Sequence, residues 1–361
     1  MNFQFFSPTK IFFGPLGQYA NEFDGFGKRA LIVTGRSSAA NGSLGDTIDA
    51  LNQNSIAYEV FDKIEENPST QNVQDAANAG IDFGAAFVVG VGGGSPLDAA
   101  KAAALLINNK DRDASTFYDP SPFTNKTASV LAIPTTAGTG SEVTPFAILT
   151  RHDAQTKGSI PHLVYPDKAF LCPKYTATLP KQLAVNTALD ALCHLTEGYL
   201  TSKANPYTDM LAEGGLVAFG GLKGDLVSHN FNEDVRTRLL LASTLAGLVI
   251  THTKTSLPHQ MGYALTYHHN VHHGAACGLL LADYLKIHPE TKKTQKILGL
   301  LGFAGFDELK KWIRGLLNST ITLTDAEIER YSKESYEKIQ KAGTHPGDVG
   351  LEDIKKIFYG I

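Results

Sequence analysis

Short apolar runs alternate with amphipathic segments along the first half of the chain. Three such runs, at residues 30–34, 85–91 and 129–133, each lead into a turn that contains glycine, or proline and threonine. Continuous apolar runs are typical of strands buried on both faces, as in a parallel sheet. Between them, residues 70–79 and 97–106 have helical periodicity. This succession predicts an α/β domain with a parallel sheet over residues 1–179.

The second half of the chain has a helical pattern instead. Helical periodicity is found at residues 181–200, 206–222, 233–249, 275–287, 306–317 and 325–342. Asn205 followed by Pro206 predicts an N-cap and a proline at the first helical position. We therefore expect an all-helical domain over residues 180–361.

Composition excludes several classes of function. The 361 residues carry a net charge of −4, with 43% apolar and 19% charged residues. No long basic run is present, which argues against a nucleic-acid partner. The longest apolar run, residues 239–250, is shorter than the ~18 residues of a membrane span. The N-terminus lacks the features of a signal peptide, and three scattered cysteines fit a reduced, cytoplasmic setting.

A glycine-rich segment, GVGGGSPLD at residues 90–98, follows the second predicted strand and opens a helix. We expect Ser95 to cap this helix and Pro96 to occupy its first position. The side chain of Asp98, three residues after Ser95, is expected to reach back to the capping residue. Glycines allow a ligand to approach the backbone closely, and the helix N-terminus favours an anion such as pyrophosphate. The candidate contacts are Gly92, Gly93, Gly94, Ser95 and Asp98. The segment is not G-x-G-x-x-G, and a simple strand-to-helix turn is the alternative.

Two further loops follow predicted strands. Residues 134–144, PTTAGTGSEVT, combine hydroxyls and glycines, and Thr135, Thr136 and Thr144 are candidate cofactor contacts. No carboxylate occurs from residue 35 through 44. A carboxylate there usually holds the ribose of NAD, whereas an arginine accommodates the 2′-phosphate of NADP.

The loop after the first predicted strand instead offers a small residue, a cation and two hydroxyls. These candidate contacts are Gly35, Arg36, Ser37 and Ser38. They favour NADP over NAD, and a solvated arginine in a turn is the alternative interpretation.

Potential metal ligands are concentrated in the helical half. Asp190 and His194 are four residues apart on a predicted helix, so they share a face. Their neighbours are mostly apolar, and a buried carboxylate needs a partner. Six of the chain's twelve histidines lie between His252 and His273. One aspartate with up to three imidazoles would suit Fe(II) or Zn(II), although most of these histidines could equally be solvated or satisfied in the core.

Four motifs together resemble the iron-dependent (group III) alcohol dehydrogenase family, with most similarity to its propanediol- and butanol-dehydrogenase-like members. They are GGGSPLDAAK at residues 92–101, PTTAGTGSEVTPF at 134–146, LDALCHLTEGY at 189–199, and PHQMGY with the following HHG at 258–274. The resemblance implies an N-terminal dinucleotide-binding α/β domain with a C-terminal helical domain, and a homodimer or larger assembly.

The resemblance also implies specific site residues. The metal ligands would be Asp190, His194, His259 and His273, the last because it directly precedes a glycine. Asn67 resembles a nucleotide-contacting asparagine, and Lys157 corresponds to a lysine at the ribose. Many relatives carry a second histidine where this chain has Tyr263, so the residue that transfers the proton is not identified.

The implied activity is hydride transfer between NADP(H) and a small alcohol, diol or aldehyde, with Fe(II) or alternatively Zn(II) at the metal site. Because NAD-dependent members often have aspartate at the position of Gly35, the resemblance also favours NADP. Three alternatives stay open: an NAD-dependent, zinc-containing polyol oxidoreductase similar to glycerol dehydrogenase, a metallo-lyase similar to dehydroquinate synthase, and a non-catalytic nucleotide- or metal-binding protein.

Overall fold

A computed structural model describes residues 2–317 and 321–361. The chain groups into two compact units. The α/β unit comprises Phe6–Thr136 and Gly140–Leu179. The helical unit comprises Pro180–Ile361, the short segment Ala137–Thr139 and the N-terminal segment through Phe5.

Parallel strands form the centre of the α/β unit. The strands are β1 (Lys10–Phe13), β2 (Arg29–Thr34), β3 (Ala57–Phe61), β4 (Phe87–Gly92), β5 (Ser129–Pro134), β6 (Ile148–Arg151), β7 (Thr156–Ser159) and β8 (Lys168–Leu171). Among the described residues, six of them form one parallel sheet in the order β1-β8-β5-β4-β2-β3, and β6 pairs with β7 in a separate antiparallel ribbon. The predicted parallel α/β domain is thus confirmed.

The three strands predicted from apolar runs correspond to β2, β4 and β5. These strands are buried along nearly their whole length because helices cover both faces of the sheet. The strands β1 and β3 lie at the two edges and contain no fully buried residue, so neither has the long apolar run of the central strands.

Helices flank the sheet within the same unit. They are α1 (Ser37–Ala40), α2 (Ser43–Gln53), α3 (Thr70–Phe83) and α4 (Gly94–Ile107). The alanine-rich helix α4 is almost completely buried and packs closely against β4. A Cβ atom added at Gly90 of β4 would lie 2.9 Å from Cβ of Ala100, so glycine is needed for this close packing.

Among the described residues of the second unit, the regular secondary structure is all helical, as predicted. Its helices are α5 (Lys181–Leu200), α6 (Pro206–Gly220), α7 (Lys223–Ser228), α8 (Glu233–Thr253), α9 (Leu257–His269), α10 (His273–Ile287), α11 (Thr291–Leu301), α12 (Phe306–Leu316), α13 (Asp325–Ala342) and α14 (Leu351–Tyr359). Asn205 caps α6 by accepting hydrogen bonds from the backbone of Tyr207 and Thr208, which confirms the predicted N-cap. Among the described helices, we find none that is both long and apolar enough to cross a bilayer.

Candidate functional site

The central helix α5 carries three ionisable side chains on one buried face. Asp190, His194 and Glu197 are spaced by four and three residues, so they project from the same side of the helix. Their exposed fractions are 3%, 6% and 0%, respectively. Charged or polar groups buried to this extent require partners, because burial without them is costly.

Two glycines bring neighbouring helices up to this face. A Cβ atom added at Gly274, at the start of α10, would overlap the carbonyl oxygen of Asn186 and lie 2.9 Å from Cβ of Asp190. A Cβ atom at Gly262 of α9 would lie 3.0 Å from Sγ of Cys277. The absence of both side chains therefore lets α5, α9 and α10 approach closely, and His273 comes near Asp190 as a result.

Four potential metal donors converge at this point. Oδ1 of Asp190 lies 3.5 Å from Nε2 of His259 and 3.9 Å from Nε2 of His273. One donor atom from each of Asp190, His259, His273 and Cys277 lies within 4.8 Å of the others. Within the described part of the chain, neither Asp190 Oδ1 nor His259 Nε2 has a hydrogen-bond partner. Two unsatisfied buried atoms that face each other fit a divalent metal, since carboxylate oxygen and imidazole nitrogen are ligands for Fe(II) and Zn(II).

The fourth predicted ligand, His194, lies beside this cluster. Its ring stacks on that of His259, with centroids 4.3 Å apart and an angle of 22° between the planes. Its Nδ1 has no hydrogen-bond partner in the described residues. The structure therefore places His194 beside His259, whereas the mutually close donor set contains Cys277 instead.

Glu197 is a functional candidate that the sequence reasoning did not identify. Its Oε1 lies 2.5 Å from Nδ1 of His259, and its Oε2 accepts a hydrogen bond of 2.7 Å from the backbone N–H of Ser256. Its spacing on α5, three residues after His194 and seven after Asp190, could have revealed it. Cys277 could have been found in the same way, four residues after His273 on α10.

Burial and charge act in opposite directions on the groups of the cluster. Burial by itself would raise the pKa of Asp190, but the imidazoles of His194, His259 and His273 hold that pKa well below its ordinary value. Burial would lower the pKa of His259, but Glu197 and Asp190 raise it to about 10. Burial lowers the pKa of His194 to about 4, against the opposing effect of Asp190. The site is thus strongly negative around His259 and favours a cation there.

Tyr263 lies beside the predicted ligand His273. Its ring is parallel to that of His273, with centroids 5.3 Å apart and an interplanar angle of 8°. Stacking of this kind restricts the rotation of the imidazole. Tyr263 therefore supports the orientation of a predicted ligand.

In the α/β unit, the glycine-rich turn joins β4 to α4. Gly92 has φ of +150°, and a Cβ atom there would lie 2.6 Å from Cγ of Pro96. A Cβ atom at Gly93 would lie 3.0 Å from Cγ2 of Thr136. Gly94 is the first residue of α4. The turn is thus compatible only with small residues and leaves its backbone accessible to a ligand.

The predicted cap of α4 is wrong. The helix begins at Gly94 with Gly93 as N-cap, so Ser95 and Pro96 lie inside its first turn. Asp98 does not reach back to the helix start: it accepts hydrogen bonds from Ser141 Oγ at 2.5 Å and from the backbone of Ile148 at 2.9 Å. The flexible glycines allow the helix to start before the first side chain that could cap it.

Two of the predicted threonines are held by the backbone or by a buried lysine. The backbone N–H of Thr135 donates to the carbonyl of Gly92 at 2.9 Å. The fully buried Lys101 donates to the carbonyl oxygens of Thr144, at 3.0 Å, and Phe146, at 2.6 Å. Burial lowers the pKa of Lys101, and Asp98 opposes this effect. This lysine therefore fixes the backbone at Thr144 and Phe146.

Three predicted nucleotide contacts come together near the start of α4. The backbone N–H of Asn67 donates to Ser95 Oγ at 3.0 Å, and Lys157 Nζ donates to Asn67 Oδ1 at 2.5 Å. Asn67 has φ of +57°, and its carbonyl accepts from Thr150 Oγ1 at 2.7 Å. The sequence separations among these residues are large, so their convergence is a property of the fold.

The loop after β2 places its predicted contacts in different settings. Arg36 and Ser37 are exposed, whereas Ser38 is buried and its hydroxyl accepts from Thr34 Oγ1 at 2.6 Å and donates to the carbonyl of Gly35. The Ser38 hydroxyl is therefore engaged within the loop, and Arg36 and Ser37 are the accessible polar groups.

Comparison with known proteins identifies relatives over nearly the whole chain. The family model described as iron-containing alcohol dehydrogenase matches residues 8–173, and the model of the C-terminal part of the same family matches residues 184–344. A solved structure of an iron-containing alcohol dehydrogenase from Thermotoga maritima is 37% identical, with a TM-score of 0.91, and the match covers 99% of this chain and 98% of that one.

Curated relatives carry names that refer to alcohols and aldehydes. The aldehyde-alcohol dehydrogenase 2 of Entamoeba histolytica is 30% identical over 362 residues, which cover 96% of this chain and 41% of that protein. The NADPH-dependent butanol dehydrogenase of Clostridium saccharobutylicum is 27% identical and is matched over 91% of its length, with 92% of this chain covered. The chain thus spans less than half the length of the first of these relatives.

Proposed function

The chain belongs to the iron-containing alcohol dehydrogenase family, and from this premise we propose that it is a metal-dependent, NADP(H)-linked alcohol dehydrogenase. Its substrates would be small primary alcohols or diols and the corresponding aldehydes. The observation that carries the proposal is the buried pair Asp190 Oδ1 and His259 Nε2, which lie 3.5 Å apart without hydrogen-bond partners among the described residues, with Nε2 of His273 3.9 Å from the same oxygen. The names of the matched relatives support the choice of alcohols and aldehydes.

The proposed metal ligands are Asp190, His194, His259 and His273. A divalent ion, Fe(II) or Zn(II), would supply Lewis acidity toward the substrate oxygen. Within the protein, Glu197 holds His259 through Nδ1, and Tyr263 restricts the ring of His273. The apolar surroundings of α5 limit the access of water, which strengthens the electrostatic effect of every charge in the cluster.

The proposed cofactor contacts lie in the α/β unit. NADP(H) would donate or accept the hydride. The backbone of Gly92, Gly93 and Gly94, at the N-terminus of α4, suits the pyrophosphate. Arg36 and Ser37 suit the 2′-phosphate, because the loop after β2 has no carboxylate that would repel it.

The remaining predicted cofactor contacts fall into two groups, those proposed to touch the cofactor and those that support its loops. Asn67 and Lys157 are proposed to contact the ribose, and Thr136 is proposed to contact the nicotinamide end. The buried oxygens of Asp98 and the hydroxyl of Ser38 are already engaged within the unit. We therefore assign these two residues the support of the neighbouring loops.

The test is an anaerobic assay of NADPH oxidation with butanal. Protein stripped of metal is reloaded with Fe(II) or Zn(II), and NADH is run in parallel. Turnover that depends on the added metal and prefers NADPH is expected. A Zn(II)-dependent activity that prefers NADH and polyols would favour the glycerol-dehydrogenase-like alternative, and no turnover under any condition would contradict the proposed activity.

The ligand assignment is tested by His259→Ala, with His152→Ala as the control. His152 is exposed in the segment between β6 and β7, so its replacement should leave metal content and turnover unchanged. His259→Ala is expected to lose both. Retention of stoichiometric metal by His259→Ala would contradict the proposed metal centre.

We also propose that the chain forms a homodimer or a larger homo-oligomer. The proposal rests on the family resemblance. Size-exclusion chromatography with light scattering tests it, and a monomeric mass across the accessible concentration range would contradict it.

A further inference from the structure

Glu197 connects the central helix α5 to the predicted metal ligand on α9. Its side chain is completely buried, and it contacts His259 through both the imidazole ring and the backbone. We propose that Glu197 is a positioning residue that fixes the tautomer and orientation of His259 and thereby sets the affinity of the metal centre. This inference rests on the proposed function, because it takes His259 to be a metal ligand.

The ring contact determines which nitrogen of His259 faces the cluster. A carboxylate has only acceptors, so Oε1 of Glu197, at 2.5 Å, requires the proton on Nδ1 of His259. In the neutral imidazole, the form that binds a metal, Nε2 then carries the lone pair, and it is this atom that lies 3.5 Å from Oδ1 of Asp190. Hydrogen bonding of the second imidazole nitrogen to a carboxylate is a common way to orient a histidine ligand.

The second oxygen of the same carboxylate fixes the backbone. Oε2 of Glu197 accepts from the N–H of Ser256 at 2.7 Å and lies 3.4 Å from the N–H of His259. These groups belong to the N-terminus of α9, where free N–H groups and the helix dipole favour a negative charge. One side chain thus holds the start of the helix and the ring that projects from it, so the ligand is preorganised.

Local packing explains why the carboxylate can reach this position. A Cβ atom at Gly198, next to Glu197, would overlap Cγ1 of Val249 and lie 2.8 Å from Oγ1 of Thr253. The end of α8 therefore lies directly against α5. The chain then turns at Lys254, which has φ of +60°, and α9 begins within reach of Glu197.

Glu197→Gln is the informative substitution. An amide retains the size of the side chain but places an N–H₂ group beside either Nδ1 of His259 or the backbone N–H of Ser256. In the first case Nδ1 becomes an acceptor and the proton moves to Nε2, which then cannot bind a metal. In the second case two donors face each other. Either outcome weakens metal binding, whereas the rest of the helix contacts remain.

The primary measurement is the dissociation constant of the full-length protein for Zn(II), obtained by competition with a chromophoric chelator. Glu197→Gln is expected to bind about 10- to 100-fold more weakly than the wild type. The control is Glu213→Gln, which removes a charge from α6 and leaves the cluster intact, since Glu213 interacts with Tyr199 and Lys296. The control should bind as the wild type does.

A second measurement uses only the wild-type protein, so it does not require that any variant folds. In the Zn(II)-loaded wild type labelled with ¹⁵N-histidine, long-range nitrogen–proton spectra should identify His259 as protonated at Nδ1 and metal-bound through Nε2. The opposite tautomer would overturn the inference. Circular dichroism and the melting temperature of metal-free Glu197→Gln then separate a change of fold from a change of affinity.

The outcomes distinguish this inference from the proposed function. Wild-type affinity in Glu197→Gln, together with loss of binding in His259→Ala, would overturn the role of Glu197 alone. A wild-type protein that binds no Zn(II) or Fe(II), or a His259→Ala variant that binds normally, would overturn the metal centre and with it the role of Glu197. Weaker binding in Glu197→Gln with the expected tautomer in the wild type would support the inference.

Discussion

Nε2 of His259 lies 3.5 Å from Oδ1 of Asp190, and neither atom has a hydrogen-bond partner among the residues that the structure describes. The separation is too long for a good hydrogen bond, although both side chains are almost fully buried. Buried polar atoms are rarely left without partners, so a pair that meets in this way indicates a place for a ligand. The identities of the two atoms fit a divalent cation.

Asp190→Asn is therefore expected to remove metal binding. The amide keeps the shape of the side chain but loses the negative charge that offsets a divalent cation in this buried site. Substitution of a residue that hydrogen-bonds to a metal ligand weakens metal binding by up to about 100-fold. Because Asp190 is itself a proposed ligand, we expect the Zn(II) affinity of Asp190→Asn to fall by at least that factor. Chelator competition measures it, with Asp75→Asn on the surface of α3 as the control. An Asp190→Asn protein that retains stoichiometric metal would exclude Asp190 as a ligand.

Gly274→Ala tests whether close helix packing creates the site. The added Cβ would overlap the carbonyl oxygen of Asn186, so α10 must shift away from α5 and carry His273 with it. Overpacking of this kind costs about 1–3 kcal/mol. We expect a lower free energy of unfolding in urea for metal-free protein, and weaker metal binding.

The matched control for that substitution is Gly214→Ala in α6, where a Cβ atom has no non-local neighbour within 4 Å. In the interior of a helix, alanine is more favourable than glycine by about 1 kcal/mol. The control should therefore be neutral or slightly more stable. If Gly274→Ala were as stable as the wild type, the packing argument for the position of His273 would fail.

Much of the fold follows from sequence because its central elements are fully buried. The sequences of strands β2, β4 and β5 are almost continuously apolar. The helices α5 and α13 have helical periodicity from their first to their last residue. The edge strands β1 and β3 were not predicted. Their residues are exposed or partly buried, and their apolar runs reach at most three residues, so they lack the long run of a buried strand.

The site is predictable only in part, since its geometry depends on contacts between distant segments. The pair Asp190 and His194 is visible as helical spacing, but the convergence of His259 and His273 on Asp190 depends on Gly274 at a helix crossing. The predicted cap at Ser95 was wrong because the hydroxyl accepts from Asn67, 28 residues away in the chain, and the helix starts at Gly94 instead.

Gly35→Asp is expected to change the cofactor preference. A carboxylate after β2 would repel the 2′-phosphate of NADPH and favour the ribose hydroxyls of NADH. We expect the ratio of the two dissociation constants to move toward NADH by about tenfold, which corresponds to about 1.4 kcal/mol. Fluorescence titration of the reduced cofactors measures both constants.

Gly35→Asn is the control for shape in that experiment. A Cβ atom at Gly35 would lie 3.2 Å from the carbonyl oxygen of Ile64, so any side chain there displaces the loop slightly. This steric effect is common to both variants and should act on both cofactors alike. Equal weakening of NADPH and NADH in Gly35→Asp would contradict the proposed role of this loop.

His288 makes the stability of the protein depend on pH. Its ring lies 5.0 Å from that of His345, and its Nδ1 accepts from the backbone N–H of Glu290. Burial, with further contributions from His345 and Lys293, lowers the pKa of His288 to about 3 from an ordinary value of 6.5. Between these two values the unfolded chain binds more protons than the folded one. The free energy of unfolding therefore falls as the pH decreases below 6.5.

His288→Asn should reduce this dependence, since its amide oxygen can replace Nδ1 as the acceptor for Glu290 but does not titrate. Below pH 6.5, the stability of metal-free wild type should fall more steeply than that of the variant, by about 1.4 kcal/mol per pH unit for one proton. Urea unfolding at pH 7, 6 and 5 measures the difference. His152 is exposed, so for the control His152→Asn the free energy of unfolding should depend on pH as it does in the wild type. Parallel curves for His288→Asn would instead mean that His288 has nearly the same proton affinity in the folded and unfolded chains.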